Sequence, residues 1–274
     1  VLNSSPFYAE KGGQVGDSGV IESETGKVRV EAAVHAVEDA IVHRGKVESG
    51  TLSRGQKVTA KADARCRQAI ARAHTATHIL HHVLRKVFGE HALQAGALVD
   101  ADYLRFDFSH FERPGREVLR QIERQVNELI VENHQVSASI TDLKDARMMG
   151  ATALFGEKYG EEVRVLKIGD FSRELCGGTH LSSSAEVGAF AIVSEGSVGA
   201  GLRRIEAYCG LRAVDYLQGK LDLLSEGAQK LKVSEDQLPG AIDNLLGEVK
   251  EAQRKVASMH NKQAGDLTGD CLGK

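Results

Sequence analysis

The spacing of apolar residues changes along the chain, and each spacing predicts a different element. Up to residue 62 the apolar runs are short: Gly19–Ile21, Lys27–Val34, Ala40–Val47 and Lys57–Ala60. Turn pairs at Thr25-Gly26, Ser49-Gly50 and Arg54-Gly55 separate them, so strands are expected, closing as a small β-barrel. From Asp63 to Phe88 the period becomes helical, with Ile70, Ala73, Thr77, Leu80, Leu84 and Val87 on one stripe. Asp63 is the expected N-cap and Gly89 the stop. Leu104, Phe106 and Phe108 then alternate as a half-buried strand whose aromatics belong to the core. Pro114-Gly115 leads into a helix carrying Val118, Ile122, Val126 and Leu129.

A strand near Gln135–Ile140, a helix capped by Thr141 or Asp142 and ending near Gly150, and a strand over Glu162–Ile168 follow. Strands and helices mix without strict alternation, which predicts an α+β fold rather than a doubly wound parallel sheet. Beyond residue 210, Val214, Leu217, Leu221, Leu224, Ala228 and Leu231 step by threes and fours. The pattern resumes after Pro239 at Ile242, Leu245, Val249, Ala252, Val256 and Met259, predicting a helical hairpin with coiled-coil seams. The expected organisation is thus a barrel over 1–62, a two-layer α/β core over 63–210 and a helical segment over 211–274, disordered from Gln263.

Composition narrows the class without naming a function. The chain has 274 residues, 42% hydrophobic and 27% charged, enough for a sizeable core. Four cysteines, Cys66, Cys176, Cys209 and Cys271, lack the spacing of a disulfide framework, no leader is read and no apolar run is long enough to span a bilayer. A reducing cytoplasm is expected, with no membrane partner. A net charge of −3 excludes a protein that coats polyanions, though it leaves room for a local basic patch. The chain opens on Val1 in mid-pattern and is expected to be a segment of something longer.

Candidate chemistry concentrates in two stretches. His74-Thr75-Ala76-Thr77-His78 places two imidazoles one helical turn apart on one face, at the edge of the apolar stripe. Cys176-Gly177-Gly178-Thr179-His180 offers a thiolate and an imidazole around a glycine turn. Together the nitrogen and sulfur donors suit Zn²⁺ held by His74, His78, Cys176 and His180. Taken singly, each half reads equally as buried or solvated side chains, and His78 and His82 form a second pair at the same spacing. The glutamate of a His-Glu-x-x-His protease is missing. Gln14 lies in a glycine-flanked stretch that predicts a tight exposed turn. Gly201, Arg203 and Arg204 suit either a phosphate-holding loop or a glycine-rich hairpin with solvated arginines. There is no nucleotide-binding glycine fingerprint and no Walker lysine.

Four stretches together resemble the editing half of alanyl-tRNA synthetases and their free-standing editing relatives. They are residues 6–17 (Pro-Phe-Tyr-Ala-Glu-Lys-Gly-Gly-Gln-Val-Gly-Asp), 74–78, 176–180 and 201–207 (Gly-Leu-Arg-Arg-Ile-Glu-Ala). Lys11 departs from the pattern, where a small or acidic residue is expected. The resemblance implies zinc-dependent hydrolysis of the ester joining serine or glycine to the 3′-terminal adenosine of alanine tRNA. It implies a catalytic role for Cys176, a catalytic or substrate-recognising role for Gln14, and tRNA contacts from Gly201, Arg203 and Arg204. Thr75 as a catalytic residue and Thr77 as a substrate contact are candidates by their proximity to the histidines, with helix packing as the other reading. It also implies a homo-oligomer through the C-terminal helices, and no aminoacylation by this segment. The alternative is a non-catalytic, zinc-stabilised module for tRNA binding and oligomerisation, in which all four metal ligands are structural.

Overall fold

The computed structural model describes residues 1–37, 40–152 and 159–272, without the side chains of residues 37 and 262–272. Two compact units emerge, residues 1–216 and residues 217–274. The chain is α+β, with three antiparallel sheets in the first unit.

The first sheet has the order β3-β2-β1-β4, from β1 (Gly19–Glu22), β2 (Gly26–Val37), β3 (Ala40–Gly50) and β4 (Thr59–Ala62). The strands follow the apolar runs, but the expected barrel does not close among the described residues. β4 is four residues long and pairs with β1 alone, while β3 is exposed from Arg44 onwards. With no second apolar face on β3 to bury, nothing drives its edge round to β4. A small core of Phe7, Ile21, Val30 and Ala33 lies beneath this open sheet.

The main core is built around α1 (Ala64–Phe88). Asp63 caps it by accepting from the Arg65 and Cys66 amides at 2.9 and 3.0 Å, and Gly89 closes it with φ 103°. Its centre is buried on every side rather than along one stripe. Between Ile70 and Leu84 only Arg72 and His82 escape full burial, so His74, His78 and His81 lie inside and not at an edge. A helix buried all round must find partners for its polar side chains elsewhere in the fold.

A second sheet, β10-β11-β6-β5, lies against one face of α1. Its strands are β5 (Gln94–Asp100), β6 (Tyr103–Ser109), β10 (Phe190–Gly199) and β11 (Leu202–Cys209). Leu104, Phe106, Phe108, Ile205 and Ala207 meet the helix there, the expected core role of the aromatics. α2 (Arg116–Val131) also packs on α1 through Ile122 and Val126. Asn127 of α2 grips edge strand β10, donating to the Phe190 carbonyl and accepting from its amide at 2.9 and 3.0 Å. The third sheet, β7-β8-β9, comprises β7 (Val136–Asp142), β8 (Glu162–Ile168) and β9 (Ser172–Leu175). α3 (Leu143–Met148) packs against β7 and β8.

α4 (Gly210–Leu231) and α5 (Leu238–Leu272) form the helical C-terminal part. A reciprocal capping box of Ser234 and Gln237 precedes α5, and Pro239 occupies its first turn, where a missing amide hydrogen costs nothing. The predicted seam does not zip up: Leu221, Leu224, Leu245, Val249, Val256 and Met259 all remain exposed. The backbone of α5 also continues to Leu272, past the expected end of order at Gln263. Among the described residues no helix is long and apolar enough to cross a membrane.

Because Phe106 fills the centre of the α1–sheet interface without exposure, Phe106→Ala is expected to lower the stability of the first unit by about 3–5 kcal/mol in denaturant unfolding.

Candidate metal centre and adjoining cleft

Residues 6–17 form a strap laid along the N-terminal half of α1. Asp17 is buried and accepts from the Tyr8 amide at 2.6 Å and from Arg67 Nε at 3.0 Å. The strap also pairs with β5: the Val15 amide donates to the Val99 carbonyl at 3.0 Å, and the Val99 amide to the Gly13 carbonyl at 2.8 Å. Gly13 permits this approach, since with φ 82° any Cβ there would stand 2.5 Å from the Ala97 carbonyl oxygen. Gln14 is therefore driven inward. It is 0% exposed, not displayed on an open turn.

Its amide has a single consistent orientation. The Thr179 backbone N–H can only donate, and it donates to Gln14 Oε1 at 2.9 Å, while Gln14 Nε2 donates to Thr179 Oγ1 at 2.9 Å. His74 Nδ1 lies 2.6 Å from the same Oε1, so it carries the hydrogen and donates it. The lone pair of His74 is thereby left on Nε2, 3.3 Å from Cys176 Sγ. Gln14 thus joins both motif halves and sets the tautomer of one imidazole.

The Cys176–His180 turn is fixed from the other side by Arg164 of β8. Its Nη1 donates to the Cys176 and Gly178 carbonyls at 2.8 and 3.0 Å. Gly178 presses against His74, where a Cβ would fall 2.1 Å from Cε1. His180 Nε2 is 3.3 Å from Cys176 Sγ, and one ligand atom from each of His74, His78, Cys176 and His180 lies within 4.8 Å of all the others. Tetrahedral zinc with ordinary Zn–S and Zn–N bonds spaces neighbouring ligand atoms roughly 3.3–3.6 Å apart, so the sulfur–nitrogen distances fit. Both ring nitrogens of His78 are buried without a well-formed hydrogen bond, which suits a ligating imidazole.

Electrostatics favour a cation too. Burial resists ionisation of the Cys176 thiol, but the neighbouring His74 and His78, with the close contacts to His180 and His74, outweigh it and hold the thiol down at about 2. Burial, with His74 beside it, pushes His180 down to about 3, the neutral ligating form. Burial also opposes charge on His78, yet Glu174 and Cys176 raise it to about 10. His82, by contrast, turns towards Phe171, with ring centroids 4.8 Å apart, and stands outside the cluster. The equally spaced His78–His82 pair is therefore not the one assembled.

Comparison with known proteins bears on what this cluster serves. The family described as "Threonyl and Alanyl tRNA synthetase second additional domain" matches residues 163–206, and "tRNA synthetases class II (A)" matches residues 1–66. The chain is 46% identical over all its 274 residues to the alanine–tRNA ligases of Acetivibrio thermocellus and Bacillus subtilis. It is 47% identical over 259 residues, 94% of its length, to that of Geobacillus kaustophilus. Over its whole length the chain belongs with the alanine–tRNA ligases. It spans 31% of the length of the first two of these relatives and 29% of the third.

In this alanine–tRNA ligase segment His74, His78 and Cys176 of the cluster line a cleft of about 480 Å³. Tyr8, Lys11, His35, Thr77, Gln94 and Arg164 line the rest of it. Thr77 donates to the Ala73 carbonyl at 2.8 Å and still faces the cleft. Thr75 does not: its hydroxyl donates to the Ala71 carbonyl at 2.8 Å and accepts from the Leu181 amide at 3.2 Å. The hairpin reading holds for Ser194–Ile205, with Gly201 at the turn of β10 and β11. Its arginines are paired with carboxylates, however. Arg203 is 8% exposed and paired with Glu195, and Arg204 forks onto Asp107 at 2.6 and 2.7 Å. Neither residue, nor Gly201, lines the cleft. Sequence reasoning missed Arg164, Gln94 and Glu174; a buried acidic residue two positions before Cys176 was the available signal.

The two glycines of the turn differ in a testable way. A Cβ on Gly177 would meet nothing within 4 Å, whereas one on Gly178 would collide with His74 and Gln14. Gly178→Ala is expected to cost about 1–3 kcal/mol in urea unfolding and Gly177→Ala close to nothing.

Proposed function

We propose that this chain hydrolyses the ester between a wrongly attached serine or glycine and the 3′-terminal adenosine of alanine tRNA. The observation that carries the proposal is the His74–His78–Cys176–His180 group, three of whose members line a cleft, within a chain matching alanine–tRNA ligases throughout. The need is physical. A pocket built for alanine rejects glycine by one methyl group, worth about 1–3 kcal/mol, and scarcely rejects serine, which only adds a hydroxyl. A second site that destroys the wrong ester supplies the missing discrimination.

The cleft volume suits an aminoacyl group and part of the terminal nucleoside. His74, His78, Cys176 and His180 would hold zinc, which when bound acts as a Lewis acid on an ester carbonyl or a water molecule. Thr77 has committed its hydroxyl hydrogen to the Ala73 carbonyl, so towards the cleft it offers a lone pair that can accept from the hydroxyl of serine. Lys11 brings positive charge to the cleft lining, suited to the phosphate of the tRNA end. Gln14 and Thr75, first read as catalytic, act instead as positioning residues: Gln14 holds His74 in its ligating tautomer, and Thr75 ties α1 to the chain after His180. Arg203 and Arg204 are already paired with Glu195 and Asp107, so the reading no longer rests on them. The exposed apolar residues of α4 and α5 serve association between copies of the chain.

Four protein ligands closing a tetrahedral site also suit the second reading, a zinc-stabilised module without turnover. Deacylation separates the two. The zinc-loaded chain is expected to release serine from seryl-tRNA(Ala) while sparing alanyl-tRNA(Ala), and folded His74→Ala and Cys176→Ala variants to lose that activity. Absence of release by the folded, zinc-loaded chain would favour the module.

A further inference from the structure

We propose that Glu174 is a positioning residue that presents His78 to the metal through Nε2. The inference rests on the metal reading above.

Glu174 sits on β9, 4% exposed, two residues before Cys176. One carboxylate oxygen, Oε2, lies 3.0 Å from His78 Nδ1, an ion-pair contact rather than a well-angled hydrogen bond. Both oxygens stand 3.2 Å from His81 Nδ1, and Ser172 Oγ donates to Oε1 at 3.3 Å. Three residues apart on α1, the two imidazoles are neighbours on the helix surface and share one carboxylate. An ionised carboxylate only accepts, so the His78 nitrogen facing it must carry hydrogen. Once its other proton is displaced, the lone pair is on Nε2, across the ring; Nε2, like Nδ1, is buried and makes no well-formed hydrogen bond within the protein.

The arrangement mirrors what Gln14 does for His74, with a charged acceptor in place of a neutral one. Charge supplies the reason for the difference. A buried carboxylate is costly without compensation, and with the Cys176 thiolate it makes two negative charges, matching a divalent cation. His82 faces Phe171 and lies outside the group of four ligands. Of two histidine pairs with identical spacing, the one that includes His74 is oriented at both ends, by Gln14 and by Glu174.

Metal binding can be read without any turnover, by competition for Zn²⁺ with a chromophoric chelator and by the absorption spectrum of the Co²⁺ form. Losing such an outer partner typically weakens a metal site roughly 10–100-fold, and that is the loss expected for Glu174→Gln, with His82→Ala unchanged. Long-range ¹H–¹⁵N spectra of the zinc-loaded wild-type chain should show His78 protonated at Nδ1 and ligated through Nε2. Should Glu174→Gln fail to fold, that wild-type spectrum decides. Folded Glu174→Gln binding zinc within about twofold of wild type, or His78 ligating through Nδ1, would overturn the inference while leaving the metal site intact. A wild-type chain that binds no zinc would overturn the metal reading and this inference with it.

Discussion

Burying histidines in the middle of a helix is the constraint on which this structure turns. α1 has satisfied its own backbone and is enclosed by sheets and by α2, so it offers its imidazoles no water and no local acceptor. Every acceptor must come from another part of the chain. Gln14 arrives from the N-terminal strap, Glu174 from the third sheet and Cys176 from the turn after it. The arrangement of sheets around α1 is therefore also the arrangement of groups around the metal ligands.

Rigidity at the site follows from small residues as much as from polar ones. Gly13 lets the strap reach β5, and Gly178 lets the Cys–His turn lie flat against His74. Asp17 with Arg67, and Arg164 with two carbonyls, then hold these approaches from outside. None of these five residues is among the candidate ligands. They fix where the candidate ligands stand, while Tyr8, Lys11, His35 and Gln94 line other parts of the cleft.

Local signals in the sequence reached the long elements and the ligands. Asp63, Gly89 and the Leu104–Phe106–Phe108 alternation marked α1 and β6 because caps and pleats act over a few residues. The four ligands were legible because their chemistry and spacing are unusual together. Closure of the first sheet was not, since it depends on whether distant edges have anything to bury. Gln14 was misread for a related reason: flanking glycines mark a backbone that can come close to something, without saying whether that is solvent or another strand. Arg203 and Arg204 looked like free cations until their cross-strand carboxylates, eight and 97 residues away, came into view. The seam of α4 and α5 shows the converse, a helical period correctly read whose apolar face has no cover within the second unit.

The contact between Gln14 and His74 spans the boundary at which the sequence first suggests cutting the molecule. A cassette beginning at Asp63 would retain every metal ligand and the whole of α1, and would look complete on paper. It would lack the acceptor that tells His74 which nitrogen to offer, and the strap that covers this end of the cleft. The first 62 residues are thus a component of the candidate metal centre, and the smallest transplantable version of that centre begins well upstream of its first candidate ligand.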